Sequence, residues 1–89
     1  MTQYQDEAWD SIQALFTDRA RAGLADRVEQ ILDLLDAGGG DARVRAGRMA
    51  DPPMWMVPVH GSGQDWLLLW HPDPADGEPY IAYAGPSPF

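Results

Sequence analysis

The chain carries six arginines, no lysine and two histidines, so any cationic chemistry must come from very few positions. Three of the arginines, Arg43, Arg45 and Arg48, form the one basic cluster. Guanidinium groups at this spacing suit contact with phosphate or with the carboxylates of an acidic partner. The alternative is a solvated strand edge that pairs with acids of its own chain. His60 and His71 flank a Gly-Ser-Gly turn. Imidazoles so placed suggest a general acid/base pair or half of a metal site, with Asp65 and Asp73 nearby in sequence. The alternative is two turn-proximal histidines bonded to backbone. Trp55 lies between Met54 and Met56 after a Pro-Pro pair and is a candidate for an exposed apolar contact.

Several chemistries have no residues to run them. There is no cysteine, hence no disulfide framework and no thiolate metal site. No Ser-His-Asp spacing and no zinc-ligand spacing is present. Gly38-Gly39-Gly40 follows an expected helix instead of opening one, so it is not a phosphate-cradling loop. No cofactor and no metal are expected.

Eighty-nine residues make one domain with a thin core. The net charge is -8, from 14 acids against 6 bases. From Met49 onward no Lys or Arg occurs, so the aromatic half of the chain is purely acidic. Such a surface repels phosphate backbones, so general nucleic-acid binding is not expected. A protein partner is, either a basic target or a segment that meets the arginine cluster. A homodimer stays open. The first ten residues are polar and acidic, without the basic and apolar regions of a signal peptide. The longest apolar run, Trp66 to Trp70, falls far short of the ~20 residues of a membrane span. The expectation is a cytoplasmic protein with no membrane contact.

Around these residues the periodicity sets the scaffold. Trp9, Ile12, Phe16 and Ala20 recur at helical spacing and predict a helix over 6–22, closed by Gly23. Leu24, Val28, Ile31, Leu32 and Leu35 predict a second helix to about Ala37, ended by the three glycines. The short connection implies a helical hairpin over about 6–37. The period then changes. Arg43-Val44-Arg45-Ala46 alternates like a half-exposed strand with its arginines on one face. Strands are also expected over Met54–His60, with an open edge or bulge at Pro58, over Asp65–His71 as the central strand, and over Tyr80–Ala84. The sheet thus covers about 42–84, and 85–89 reads as a tail. The fold class is α+β, a helical hairpin packed on an antiparallel sheet of three or four strands.

Arg43-Val44-Arg45, Trp55-Met56-Val57-Pro58-Val59, Asp65-Trp66-Leu67-Leu68-Leu69-Trp70 and Tyr80-Ile81-Ala82-Tyr83-Ala84-Gly85 follow two helices. In this order the chain resembles the RelE/ParE superfamily of toxins from bacterial toxin-antitoxin systems, across about residues 6–86. The resemblance implies an α+β fold, an antitoxin-like protein partner and, in the ribonuclease members, cleavage of ribosome-bound messenger RNA by cationic residues on the sheet. Arg43, Arg45 and Arg48 match the first of those basic positions. The basic position of the central strand falls at Leu67 to Trp70, the one after the strand-ending glycine is Pro86, and the terminal aromatic is Phe89, which has no hydroxyl. The family's opening strand has only Met1 to Gln5 to draw on. The resemblance therefore implies a toxin-like domain that acts by macromolecular binding and lacks the usual catalytic set. An active endoribonuclease, or an acidic bacterial or phage interaction protein unrelated to toxins, are the alternatives.

Overall fold

Helix α1 spans Asp6–Phe16. It starts where the Gln5 side chain accepts the Ala8 N–H at 2.9 Å, with Asp6 and Glu7 at the positive end of the helix dipole. It stops sooner than the periodicity suggests, because the backbone turns extended at Asp18, just after the Thr17 hydroxyl donates back to the Ala14 carbonyl at 3.1 Å. Asp18 then caps a single 3-10 turn over Arg19–Arg21 by accepting from the Ala20 N–H. Helix α2, Ala22–Asp36, follows directly. Gly23, expected as a helix cap, lies inside α2 and leaves room for Ser62, whose oxygen accepts the Leu24 N–H at 3.2 Å.

The buried stripe of α1 is Ala8, Ile12 and Leu15, while Trp9 and Phe16 stay 46% and 42% exposed. Both stripes have helical spacing and share Ile12, and each flanking position differs by one residue, or about 100° of rotation. Small Ala8 lets α1 approach the sheet closely. Trp9 turns outward and meets Tyr4 edge-on, with ring centroids 5.0 Å apart. Ile12→Ala should therefore cost about 2 to 5 kcal/mol and Phe16→Ala only about 0.5 kcal/mol in urea unfolding. Equal losses would mean that the stripe is misassigned. On α2 the expected Val28, Leu32 and Leu35 are buried with Leu24, and Ile31 is half-buried against them.

The computed structural model describes residues 1–88, a compact α+β domain of two helices on a five-stranded sheet. The final aromatic singled out in the sequence, Phe89, lies outside the described residues. The strands are β1 (Gln3–Tyr4), β2 (Gly47–Met49), β3 (Met54–Gly61), β4 (Gln64–Pro72) and β5 (Pro79–Pro86), in the order β1-β5-β4-β3-β2. The sheet is mixed and not purely antiparallel, since β1 runs parallel to β5 through Gln3–Tyr80 and Tyr4–Ile81. The tail expected from residue 85 is instead strand, with Gly85 and Pro86 opposite Leu67 and Trp66.

β4 is central, as its unbroken apolar run implies. Trp66, Leu68 and Trp70 join the core under the helices, with Val57, Val59, Ile81 and Ala84 from the flanking strands. Leu67 and Leu69 point to the other face, between Pro58 and Gly85 and between Met56 and Tyr83. β2 reaches along β3 only as far as Met56, so β3 is an edge at Pro58 and no ladder donor is missing there.

Arg43-Val44-Arg45-Ala46 is not a strand. Asp41 accepts the Arg43 N–H at 2.8 Å and opens a 3-10 turn over Ala42–Val44. Val44 is driven into the core, and the strand starts only at Gly47.

Candidate partner-binding edge

The arginine cluster resolves into three different environments. Arg43 is spent on Asp41, with its Nε and Nη2 each 3.0 Å from a carboxylate oxygen. Those bonds, with the Arg43 backbone N–H, hold the Asp41 carboxyl down to about 2. A depressed folded-state pKa stabilises the fold above the unfolded value, and that contribution fades as the pH falls through the folded one. The window here runs from about 3.8 down to about 2. Carboxyl NMR should place the Asp41 midpoint near 2, and Arg43→Ala should return it towards 3.8. A wild-type midpoint at the ordinary value would break this pairing.

Arg45 holds the glycine turn. Its Nε donates to the Gly39 carbonyl at 2.6 Å, and its guanidinium carbon lies 5.3 Å from the Trp55 ring centre and 5.5 Å from that of Trp70. Arg48 projects from β2 onto Trp55, 4.6 Å from the ring centre. Half-buried Trp55 thus carries two guanidinium groups, each within cation–π range. Neither Arg45 nor Arg48 forms an ion pair with a carboxylate among the described residues, although the chain has 14 acids.

The pleat decides which side chains share a face. Arg48 stands opposite Trp55, while Gly47 and Met49 stand opposite Met56 and Met54 on the other side. That second face holds a shallow cavity of about 340 Å³ lined by Ala46, Gly47, Met56, Pro58, Leu67 and Ser87. Gly47 brings β2 close, since a Cβ there would meet the Met56 carbonyl oxygen at 3.0 Å. β2 is the last strand of the sheet, so its outer backbone faces no neighbouring strand.

The two histidines do not meet. His60 sits opposite Asp65, and His71 lies six residues further along β4, roughly 20 Å away at the strand rise. His60 Nδ1 is 2.5 Å from Asp65 Oδ1, with both side chains about 70% exposed. His71 bonds the Pro72 carbonyl and lies against Tyr80. The acid/base pair read from the sequence is not assembled, and no metal-holding group of three or more ligands exists among the described residues. On the central strand Leu67 to Trp70 are all apolar and buried.

The sequence reading missed the start of β2 and the apolar groove beneath it. Ala50-Asp51-Pro52-Pro53 is the signal that marks them. A turn there requires its two strands to begin immediately on either side, at Met49 and Met54. No helix among the described residues is long and apolar enough to cross a membrane. No family model, curated protein or solved structure matches the chain.

Proposed function

We propose that this is a toxin-like domain of RelE/ParE layout that works by binding a protein partner along β2, without the ribonuclease chemistry of that superfamily. The supporting observation is the free edge of β2, with Arg48 and Arg45 stacked on Trp55 and unmatched by any described carboxylate. An open strand edge recruits an extended segment through main-chain hydrogen bonds, and side-chain sites beside it set specificity. Catalysis of messenger-RNA cleavage would need cations around the scissile phosphate, and the central strand offers leucines there. The one imidazole–carboxylate pair among the described residues, His60–Asp65, stands exposed at the far end of β3 from Arg48.

The test is expression in bacterial cells, with growth and transcript integrity followed together. Growth inhibition with intact transcripts is expected. Arg48→Glu should abolish it while circular dichroism stays unchanged, since the Arg48 guanidinium touches only the Trp55 ring among the described residues. Cleaved transcripts would favour the endoribonuclease. Absence of any growth effect would favour an acidic interaction protein unrelated to toxins. Gel shifts on random DNA or RNA at low micromolar protein and physiological salt should show no complex.

A further inference from the structure

We infer that the segment docking on β2 is an extended strand in which acidic and apolar residues alternate. This rests on β2 being the partner-binding edge. A strand added beside β2 continues the sheet, so each of its residues shares a face with the β2 residue opposite. The residue opposite Arg48 faces the side of Trp55, where Arg48 and Arg45 present N–H groups that no described carboxylate occupies. The Nε of Arg45 is already bonded to Gly39, which holds its guanidinium in place and leaves the terminal nitrogens to bind. A carboxylate is the matching group, and charge-assisted bonds to it are the strong class.

The next residues on either side face Gly47 and Met49, whose cross-strand neighbours are Met56 and Met54. No side chain stands at Gly47, and the groove of about 340 Å³ opens beside it. Apolar side chains fit there, and a charged one would lose its water without gaining a partner. The pleat thus imposes the order apolar, acidic, apolar on the incoming strand.

A second copy of the chain fits poorly. Antiparallel pairing of β2 with itself about Arg48 sets guanidinium beside guanidinium, and like charges directly opposite destabilise a strand pair. The net charge of -8 opposes a short acidic strand only weakly, because exposed charges more than a Debye length of about 8 Å apart are largely screened at physiological salt.

The experiment titrates the isotope-labelled full chain with capped seven-residue peptides alternating glutamate with valine, lysine with valine, or threonine with valine. The glutamate–valine peptide should shift the amides of Gly47, Arg48 and Met49 and bind most tightly. Arg48→Glu should weaken it about tenfold or more and turn the preference towards the lysine–valine peptide. Tighter binding of the lysine or threonine peptide at β2 in the native chain would overturn the inference and leave β2 as a docking edge. Silent β2 amides with all three peptides would overturn the inference and the docking edge together. A dimer in sedimentation with protected β2 amides would replace the acidic strand by a second copy.

Discussion

Trp70→Ala is expected to lower stability by about 3 to 5 kcal/mol, the upper range for truncating a large buried side chain. A domain of this size has roughly 4 to 13 kcal/mol in all, so the variant should sit near its unfolding threshold. Trp70 is fully buried on the central strand, and its indole N–H donates to the Val44 carbonyl at 2.8 Å. Its ring also touches the glycine turn and lies 5.5 Å from the Arg45 guanidinium. Alanine would leave a cavity, strand a buried carbonyl and remove one of the two rings that hold Arg45. Trp70→Phe separates these effects by keeping an aromatic ring and losing the donor. It should cost about 1 to 3 kcal/mol, the penalty for an unsatisfied buried acceptor. Urea unfolding followed by far-ultraviolet circular dichroism reads both. A loss below about 1 kcal/mol for the alanine variant would show that this ring does not anchor the fold.

Gly39→Ala should be unusually costly for so small a substitution. Gly39 has φ +73°, and a Cβ there would lie 2.7 Å from Trp70 Cη2. The left-handed conformation costs a non-glycine residue about 1 to 2 kcal/mol, and forcing a methyl group into a filled site adds about 1 to 3 kcal/mol. The turn cannot easily relax. Gly39 N–H closes α2 by bonding the Leu34 carbonyl at 3.2 Å, beside the bond from Gly38 to Leu35, as in a Schellman motif. Gly40→Ala is the internal control, since nothing lies within 4 Å of its Cβ position, and it should change stability by no more than about 0.5 kcal/mol. A double-mutant cycle with Trp70→Leu should recover part of the Gly39→Ala loss, because the smaller side chain vacates the clash. Strict additivity would place the whole cost in the backbone.

The contrast between these two positions shows what a reader of the chain can infer. Trp70 belongs to an unbroken apolar run, and such a run declares a central strand whatever surrounds it. Gly39 looks like any helix-ending glycine, because its contact with Trp70 joins residues far apart in sequence. The second helix was legible from its regular leucines. The first was legible as a helix, yet its buried face was ambiguous: Ala8-Ile12-Leu15 and Trp9-Ile12-Phe16 repeat equally well, and only the sheet beneath them selects the smaller set. Alternation misled at Arg43 to Ala46, where Asp41 offers the backbone a turn and Val44 gains more by entering the core than by lying in a strand. β1 has two residues and no periodicity to display. For the candidate site, residue type located Arg45, Arg48 and Trp55, but their grouping on one face depends on the pairing of β2 with β3. The histidines were separable from the chain itself: His60 ends its strand at the turn and His71 ends the next one, so antiparallel pairing sets them at opposite ends of the hairpin.

The first and last elements of the fold are neighbours: α1 rests on β5, β1 pairs with it, and the Gln5 N–H bonds the Ile81 carbonyl at 2.9 Å. During synthesis the opening helix therefore emerges long before the strand that gives it a surface. The α2, β3 and β4 region can assemble earlier, leaving the Trp66–Trp70 strand without its β5 neighbour until residues 79–86 follow. Closing contacts this distant in sequence slows folding and leaves apolar surface open to chaperones and proteases meanwhile. A chain interrupted before Pro79 would accordingly be a degradation substrate and not a smaller working domain.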